Sequence, residues 1–324
     1  MSDVPRVSVI VPSFNAAASI ERALGTALAQ TMADLEVIVV DDASHDGSAD
    51  IARRIAGDDP RVRVLINERN AGPSASRNLA IIQARGDWVA PLDADDLWLP
   101  ERLERMLAVA DSADAVSDDI LVERSQGDDV PQFWSLLEHK GLSIRGPRNL
   151  SLAELVRRDL GLLKPIVRRS FLERTGVRYD VDLRLGEDFK FYFELVAAGA
   201  RWIQLPDPLY VYSRQTSSIS RDLGTLARCK VETVHLLLQH PGARADRDVV
   251  AALRWMLQDW QGQIAFANVR QLLEGRRFRE LALLVRREPS LPALVARRLS
   301  GNLLLRGRRR LRNPRRPSPA RLLS

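Results

Sequence analysis

The stretch Trp88-Val89-Ala90-Pro91-Leu92-Asp93-Ala94-Asp95-Asp96 decides the fold. An apolar run that ends abruptly in carboxylates is typical of a buried strand that delivers acids at its carboxyl end, where ligands bind in open α/β sheets. Alternate residues of an extended chain point the same way, so Asp93 and Asp95 are expected to converge. Two such carboxylates favour Mn²⁺ or Mg²⁺ carrying a phosphorylated substrate. The alternative is an acidic loop in which Asp96 or a neighbour caps the next helix.

Three further strand and helix pairs precede this stretch. Strands are predicted at residues 7–11, 36–40 and 62–66, because these runs are β-branched and almost continuously apolar. Helical periodicity follows each of them, most clearly over residues 20–28. Four strand–loop–helix repeats favour an α/β fold with a Rossmann-like, mostly parallel sheet flanked by helices.

Polar residues gather directly after each predicted strand. Because the carboxyl ends of parallel strands meet at one edge of a sheet, these residues are expected to form one binding site. The chain contains no phosphate loop of the G-x-x-x-x-G-K-[ST] kind and no G-x-G-x-x-G after the first strand, which disfavours the usual nucleotide-triphosphate and dinucleotide sites. The polar groups are Ser13 with Asn15, Asp41 with Asp42, Asn70, and Asp93 to Asp96.

Composition narrows the cellular setting. The single Cys229 fits a reducing cytosol and excludes a disulfide framework. No basic-then-apolar signal opens the chain, and its apolar runs fall short of a span of about 18 residues, so a cytoplasmic protein is expected. The net charge of +6 is concentrated in the last third, above all at residues 306–316. Such a tail suits anionic lipid or nucleic acid.

The chain is predicted to divide into three parts. Residues 1–222 form the α/β domain, with a nucleotide-binding half of about 1–122 and an acceptor half of about 123–222. Within the latter, residues 125–149 mix Gly, Pro and charge and are predicted to form a mobile loop. A helical extension covers residues 223–305, and the arginine-rich residues 306–324 have little to bury and are predicted to be disordered.

Five blocks of sequence together resemble glycosyltransferase family 2, whose members have the GT-A fold and move sugars from nucleotide donors. The resemblance covers about residues 6 to 220 and keeps the family's order of motifs. The blocks are Val7-Ser-Val-Ile-Val-Pro-Ser-Phe-Asn15, Val39-Val-Asp-Asp-Ala-Ser-His-Asp-Gly-Ser48, Asn70-Ala-Gly-Pro-Ser-Ala-Ser-Arg-Asn78, Gly86-Asp-Trp-Val-Ala-Pro-Leu-Asp-Ala-Asp-Asp96 and Gly186-Glu-Asp188.

The resemblance implies a nucleotide site along the first four blocks. Pro12 would border the nucleobase, with Ser13 and Asn15 beside it. Asp42, or less favourably Asp41, would accept a hydrogen bond from a base N–H; a helix cap is the alternative for both.

The same resemblance implies contacts to the donor's ribose, phosphates and metal. Arg77 would lie near the diphosphate, whose oxygens suit a fixed guanidinium; the alternative is an exposed helix arginine. Asp93 would face the ribose or the metal, and Asp95 would bind the metal.

Glu187 and Asp188 form the second predicted centre. In the family, the aspartate of this pair acts as general base on the acceptor hydroxyl, which attacks the anomeric carbon and inverts it. The alternative is that both acids only complement a helix dipole. Residues 212–220 depart from the family by lacking a histidine, although Arg214 could still pair with the diphosphate. The four histidines of the chain lack ligand spacing and are predicted to be surface or packing residues.

The predicted protein is therefore an inverting, metal-dependent glycosyltransferase of polysaccharide biosynthesis. By family habit it would use a UDP-sugar and a glycan or lipid-linked acceptor. Its basic C-terminal helices would dock on the inner face of the cell membrane, although simple packing helices are the alternative. A nucleotidyltransferase, or a degenerate fold acting as a scaffold or nucleic-acid-binding protein, is the rival function, and nucleic acid is an unlikely partner.

Overall fold

The computed structural model describes residues 4–124, 132–213, 223–287 and 292–295. These residues belong to two compact units. The first contains residues 4–182 and 187–213, and the second contains residues 183–186 and the helical residues from 223 onward. The predicted boundaries of the three parts stay a prediction.

The first unit begins with the expected repeats of strand and helix. The first, second and fourth strands are buried along their length or nearly so, and the third is mostly half-buried. The helices turn an apolar face inward, as Ile20, Ala23, Leu24 and Ala27 do in the first helix. The elements are β1 (Val7–Ser13), α1 (Ile20–Leu28), β2 (Leu35–Asp41), α2 (Ser48–Asp58), β3 (Val62–Ile66), α3 (Pro73–Gln83) and β4 (Trp88–Pro91).

The chain then adds shorter elements around two long strands. The strands are β5 (Leu97–Trp98), β6 (Ala115–Arg124), β7 (Gln132–Ser135), β8 (Arg148–Asn149), β9 (Ile166–Arg168) and β10 (Trp202–Tyr212). The helices are α4 (Arg102–Leu107), α5 (Leu136–His139), α6 (Leu152–Arg157), α7 (Arg169–Thr175) and α8 (Glu187–Ala197).

One sheet collects these strands in the order β3-β2-β1-β4-β9-β6-β10-β5. The first four of them are parallel neighbours, and β6 is parallel to β10. The short β9 runs antiparallel between β4 and β6, so it joins the two parallel groups. The predicted α/β fold with a mostly parallel sheet is confirmed, and its strands β1, β2 and β4 end along one edge.

The prediction of a loop over residues 125–149 is wrong for residues 132–139 and 148–149, whereas residues 140–147 contain no helix or strand. Gln132–Ser135 form β7, which pairs antiparallel with β6 from Leu121 to Arg124. Ser135 then caps α5 by accepting a hydrogen bond from the Glu138 amide. The pairing with β6 outweighs the polar composition, because it satisfies the backbone groups that a loop would expose. Residues 125–131 lie outside the described residues.

The second unit is helical, as predicted for the C-terminal extension. It contains α9 (Leu223–Gln239), α10 (Pro241–Arg244), α11 (Arg247–Glu274) and α12 (Phe278–Arg287). Asp246 caps α11 by accepting hydrogen bonds from the amides of Asp248 and Val249. In contrast to α11, α12 buries none of its residues. In the part of the chain that the structure describes, no helix combines the length and apolarity needed to cross a membrane.

Candidate active site

The acidic stretch leaves the sheet where β4 ends. The Leu92 amide still bonds to the Ile10 carbonyl of β1, and the chain then turns, with the Asp96 amide donating to the Asp93 carbonyl. Asp96 is buried and caps no helix; instead its carboxylate accepts hydrogen bonds from the Tyr210 hydroxyl at 2.6 Å and the Ser213 amide at 2.9 Å. Asp96 therefore anchors the turn that presents Asp93 and Asp95.

Asp93 lies between two buried cations. Its Oδ1 is 2.7 Å from Arg77 Nη2, and its Oδ2 is 2.7 Å from Lys164 Nζ. Burial opposes ionisation of Asp93, but the charges of Lys164 and then Arg77 outweigh it and hold the pKa of this carboxyl well below its usual range. Asp93 is therefore a fixed carboxylate.

Arg77 is placed by α3, whose first turn begins at Pro73 after Gly72. Its side chain is 5% exposed, so the alternative of an exposed helix arginine is wrong. Besides Asp93, its guanidinium lies 3.3 Å from Glu187 Oε1 and 3.6 Å from Asp188 Oδ1. Arg77 thus connects the two acidic motifs, and its contact with a diphosphate stays a prediction.

Glu187 and Asp188 begin α8, as the sequence predicts. The helix is held by aromatic residues that it buries, among them Phe189, Tyr192 and Phe193. Asp188 Oδ2 accepts a hydrogen bond from Lys164 Nζ at 2.7 Å. Its Oδ1 is buried and lies 3.6 Å from Arg77 Nη1, but it accepts no hydrogen bond from the described residues, so this oxygen can still take one.

These contacts define a group of six side chains that we call the site cluster: Arg77, Asp93, Asp95, Lys164, Glu187 and Asp188. Four carboxylates against two cations leave a formal charge of −2. This excess of negative charge affects Asp95. Burial and the neighbouring Asp93 charge raise the pKa of Asp95 to about 6. Burial and the Asp188 charge likewise raise the pKa of Glu187.

The site cluster suits a divalent cation bound through few protein ligands. Among the described residues, no ion pair or hydrogen bond to another residue engages the Asp95 carboxylate. Asp95 is therefore the preferred ligand for the cation, and Asp93 is the second choice. No three or more acids, histidines or cysteines in the described ranges come together as a complete metal site. Mg²⁺ and Mn²⁺ accept this arrangement, because they often take one or two carboxylates and complete their shell with substrate phosphates and water.

The loops after β1 and β2 carry the residues predicted to hold the nucleobase. Ser13 is buried at the end of β1, and its hydroxyl has no hydrogen-bond partner among the described residues. Asn15 has a left-handed backbone (φ 49°) and accepts a hydrogen bond from the His45 amide, which ties the two loops together. Pro12 precedes Ser13 in β1 and is partly exposed. The three residues lie together, and their contact with a base stays a prediction.

Asp41 and Asp42 are both engaged by the protein. Asp41 accepts hydrogen bonds from the amide and hydroxyl of Ser44. Asp42 accepts three, from the Asn67 side chain and from the amides of Ala71 and Gly72 just before α3. These bonds hold the loop that leads into α3, but they do not cap the helix, because Ala71 and Gly72 precede its first turn. A hydrogen bond to a nucleobase stays a prediction for either residue.

Sequence reasoning missed Lys164 and Tyr210, and it placed Arg214 at the site. Arg214 lies outside the described residues. Lys164 stands alone among apolar neighbours in Leu160-Gly-Leu-Leu-Lys-Pro-Ile-Val167. A solitary charge in such a run is a signal of a buried, paired side chain, and its partners come from motifs far away in the sequence.

Comparison with known proteins agrees with this geometry. Residues 8–157 match glycosyl transferase family 2. The succinoglycan biosynthesis protein ExoU of Rhizobium meliloti is 35% identical over 257 residues, covering 76% of this chain and 73% of that protein. ExoO, a second succinoglycan biosynthesis protein of the same organism, is 38% identical over 224 residues, 68% of this chain and 64% of its own length.

A solved structure shares the fold. The mannosyltransferase PcManGT from Pyrobaculum calidifontis, solved with GDP-Man and Mn²⁺, superposes with a TM-score of 0.60 at 21% identity, covering 92% of this chain and 88% of the other. The sheet, its acidic edge and these matches define a sugar-transferring enzyme of the GT-A type. The chain belongs to glycosyltransferase family 2.

Proposed function

We propose that the protein transfers a sugar from a nucleoside diphosphate donor to an acceptor hydroxyl, with metal dependence and inversion at the anomeric carbon. The observation that carries this proposal is the meeting of two acidic motifs, Asp93 to Asp95 and Glu187 to Asp188, around Arg77 and Lys164 at one sheet edge. One motif suits the departing diphosphate and the other suits the incoming hydroxyl.

Asp95 and Asp93 would hold the divalent cation, Mn²⁺ or Mg²⁺. A metal bound there supplies Lewis-acid stabilisation of the diphosphate. Arg77 is close enough to Asp93 to add a fixed positive charge beside the same phosphates. The base of the donor would lie against Pro12, Ser13 and Asn15.

Asp188 acts as the general base, because its Oδ1 accepts no hydrogen bond from the described residues. That oxygen takes the proton of the acceptor hydroxyl. The acceptor oxygen forms a bond to the anomeric carbon while the bond from that carbon to the diphosphate breaks. The nucleoside diphosphate leaves, and this single displacement inverts the configuration. No second carboxylate is needed as a nucleophile, so Glu187 is left to hold Arg77.

The acceptor is a glycan or a lipid-linked saccharide in polysaccharide biosynthesis. The two succinoglycan biosynthesis proteins of Rhizobium meliloti support this assignment. The donor's base is open, with uridine as the default and guanosine as the alternative that PcManGT supports.

Calorimetric titration tests the donor site. Uridine, guanosine and thymidine diphosphates are titrated with and without Mn²⁺ into the wild type and into Asp95→Asn. We expect one nucleotide to bind only with Mn²⁺ and to lose at least about tenfold in affinity in the variant, which removes one of the two carboxylates that would hold the cation. Metal-independent binding that Asp95→Asn leaves unchanged would overturn the metal site.

The basic end of the chain is proposed to meet a membrane surface at the cytoplasmic face. In α12, Phe278 is 62% and Leu283 is 55% exposed, and Arg279, Arg286 and Arg287 stand on the same helix. Exposed apolar side chains with arginines beside them suit the headgroup region of an anionic bilayer, where each basic residue adds about 1 kcal/mol.

Cosedimentation with vesicles tests this surface. We expect binding to vesicles containing phosphatidylglycerol and not to pure phosphatidylcholine, and a loss of about tenfold when Phe278 and Leu283 are both changed to Ser. Ile82→Ser, which alters an equally exposed side chain on α3, should bind like the wild type. Equal binding by all three proteins would contradict a role for α12.

A further inference from the structure

Lys164 occupies an unusual position in the site cluster. Its side chain is 3% exposed, and its single ammonium lies 2.7 Å from Asp93 Oδ2 and 2.7 Å from Asp188 Oδ2. Asp93 belongs to the donor side of the proposed site and Asp188 to the acceptor side. Lys164 is therefore a fixed cation that joins the two halves of the reaction.

The backbone of Lys164 is held as firmly as its side chain. Arg102 donates a hydrogen bond from Nη2 to the Lys164 carbonyl, and its Nε and Nη2 each bond to Asp118 at 2.9 Å. The Arg102 side chain is fully buried, with its guanidinium 4.6 Å from the Trp98 ring centroid and 5.1 Å from that of Tyr210. Such a network leaves the Lys164 ammonium little freedom to move.

The contact with Lys164 distinguishes the two oxygens of Asp188. Oδ2 accepts a hydrogen bond from the ammonium, whereas Oδ1 has the Arg77 guanidinium at 3.6 Å but accepts no hydrogen bond from the described residues. A carboxylate that is free to rotate would present either oxygen to a substrate. With Oδ2 bound to Lys164, only Oδ1 is available to accept a proton.

From these contacts we propose that Lys164 is a positioning residue that orients the Asp188 carboxylate and, through Asp93, links the base to the donor site. This inference rests on the proposed function, because it assigns Lys164 a part in that same transfer. Lys164 itself neither gives nor takes a proton in the reaction.

The proposal predicts that Mn²⁺ affinity and turnover change in opposite directions when the Lys164 charge is removed. Lys164 and a divalent cation both draw on the negative charge of Asp93. Removal of the ammonium therefore leaves more negative charge for the metal, and the affinity for Mn²⁺ should rise. The base should at the same time lose its fixed orientation, so turnover should fall. A purely structural lysine would weaken both.

The experiment compares Lys164→Met with the wild type in two assays on the full chain. Free Mn²⁺ is followed by electron paramagnetic resonance with the metal alone, and we expect binding to tighten by about tenfold. Release of nucleoside diphosphate is followed with UDP-glucose, UDP-galactose and GDP-mannose, and we expect kcat to fall about 100-fold while KM for the donor changes by less than about threefold.

Three further variants make the comparison specific. Lys164→Arg keeps the charge, so Mn²⁺ affinity should stay within about twofold of the wild type and part of kcat should return. Lys164→Gln removes the charge but keeps a donor, and it replaces Lys164→Met if that variant does not fold. Lys140→Met removes another lysine, one that pairs with Asp159, and should leave both quantities unchanged.

The outcomes separate this inference from the proposed function. If the wild type releases nucleoside diphosphate and the charge-free variant keeps its kcat, the positioning role is overturned while the transferase function stands. Weaker Mn²⁺ binding in the charge-free variant, or binding in neither protein, also overturns it. If the wild type releases nucleotide from none of the donors, both the proposed function and the role of Lys164 fail.

Discussion

Two groups of charged side chains stand at opposite ends of the sheet's strands, and they are built differently. The first, which we call the Glu36 cluster, contains Ser8, Glu36, Arg63 and Arg85. Ser8 and Glu36 face each other near the start of β1 and β2. The site cluster lies past the other end of the sheet's strands, where β4 has given way to Asp93.

In the Glu36 cluster every carboxylate oxygen is satisfied. Glu36 accepts hydrogen bonds from the Ser8 hydroxyl at 2.7 Å, from the Arg85 amide at 2.8 Å and from Arg85 Nε at 3.0 Å. Burial opposes its ionisation, but these bonds and the Arg85 charge lower its pKa. Gly86 completes the turn, because a Cβ there would lie 2.6 Å from the Ser8 amide nitrogen.

In the site cluster the carboxylates outnumber the cations. Asp95 has no cationic partner of its own among the described residues, and one oxygen of Asp188 accepts no hydrogen bond from them. Buried charge without a partner costs stability, so it persists where it serves a ligand. The comparison suggests that a closed cluster maintains the fold, whereas an open one is prepared for a cation and a substrate proton.

The largest expected effect is the loss of turnover when the charge of the Asp188 carboxylate is removed. Asp188→Asn should lower kcat for nucleotide release by about 10²–10⁴, because a general base contributes that much. Its free energy of unfolding should change by less than about 1 kcal/mol, since the site cluster has carboxylates in excess. Turnover assays and urea denaturation measure the two quantities.

Glu194→Gln is the matched control for this prediction. Glu194 stands on the same helix and pairs with Lys190, away from the site cluster. An equal loss of turnover in both variants would mean that α8, and not the Asp188 carboxylate, is responsible.

The Glu36 cluster should show the reverse pattern. Glu36→Gln leaves buried donors without a charged acceptor and should lower the free energy of unfolding by about 2 kcal/mol at pH 7. Donor turnover below the melting temperature should be unchanged. Urea denaturation and nucleotide release again measure both.

The pH dependence of this loss has a defined sign. Because folding lowers the pKa of Glu36 from 4.5, the carboxylate stabilises the protein above that value. Its contribution is lost as pH falls from 4.5 through the folded-state pKa. The difference between wild type and Glu36→Gln should therefore shrink below pH 4.5, and a difference that grows there would contradict the interpretation.

Local sequence patterns predicted the strands and the acidic residues that directly follow them. Apolar runs predicted the strands, and the residues after them predicted where Asp41 and Asp93 would lie, because parallel strands end at a common edge. The role of Asp188 came only from the resemblance to a family. The sequence also suggested a fold class that the solved structure with GDP-Man and Mn²⁺ supports.

Contacts between distant motifs could not be predicted in this way. Lys164 reaches Asp188 across 24 positions, and Tyr210 reaches Asp96 across 114. No periodicity links such residues, since side-chain pairing depends on how the elements pack. The same limit explains β7, because its pairing with β6 decides the structure of residues 132–135.

The smallest expected effect is a change in stability when Asp95 loses its charge. Asp95→Asn should raise the free energy of unfolding by about 1 kcal/mol in metal-free buffer, because it removes a buried charge that lies beside the Asp93 carboxylate and lacks a cationic partner. Urea denaturation with a chelator measures the change, and the exposed Asp58→Asn on α2 serves as the control with no expected change. Added Mn²⁺ should stabilise the wild type and not the variant, since a ligand stabilises only the state that binds it. A loss of stability in Asp95→Asn without metal would place Asp95 with Glu36 among the structural acids, and the distinction between closed and open clusters would then fail.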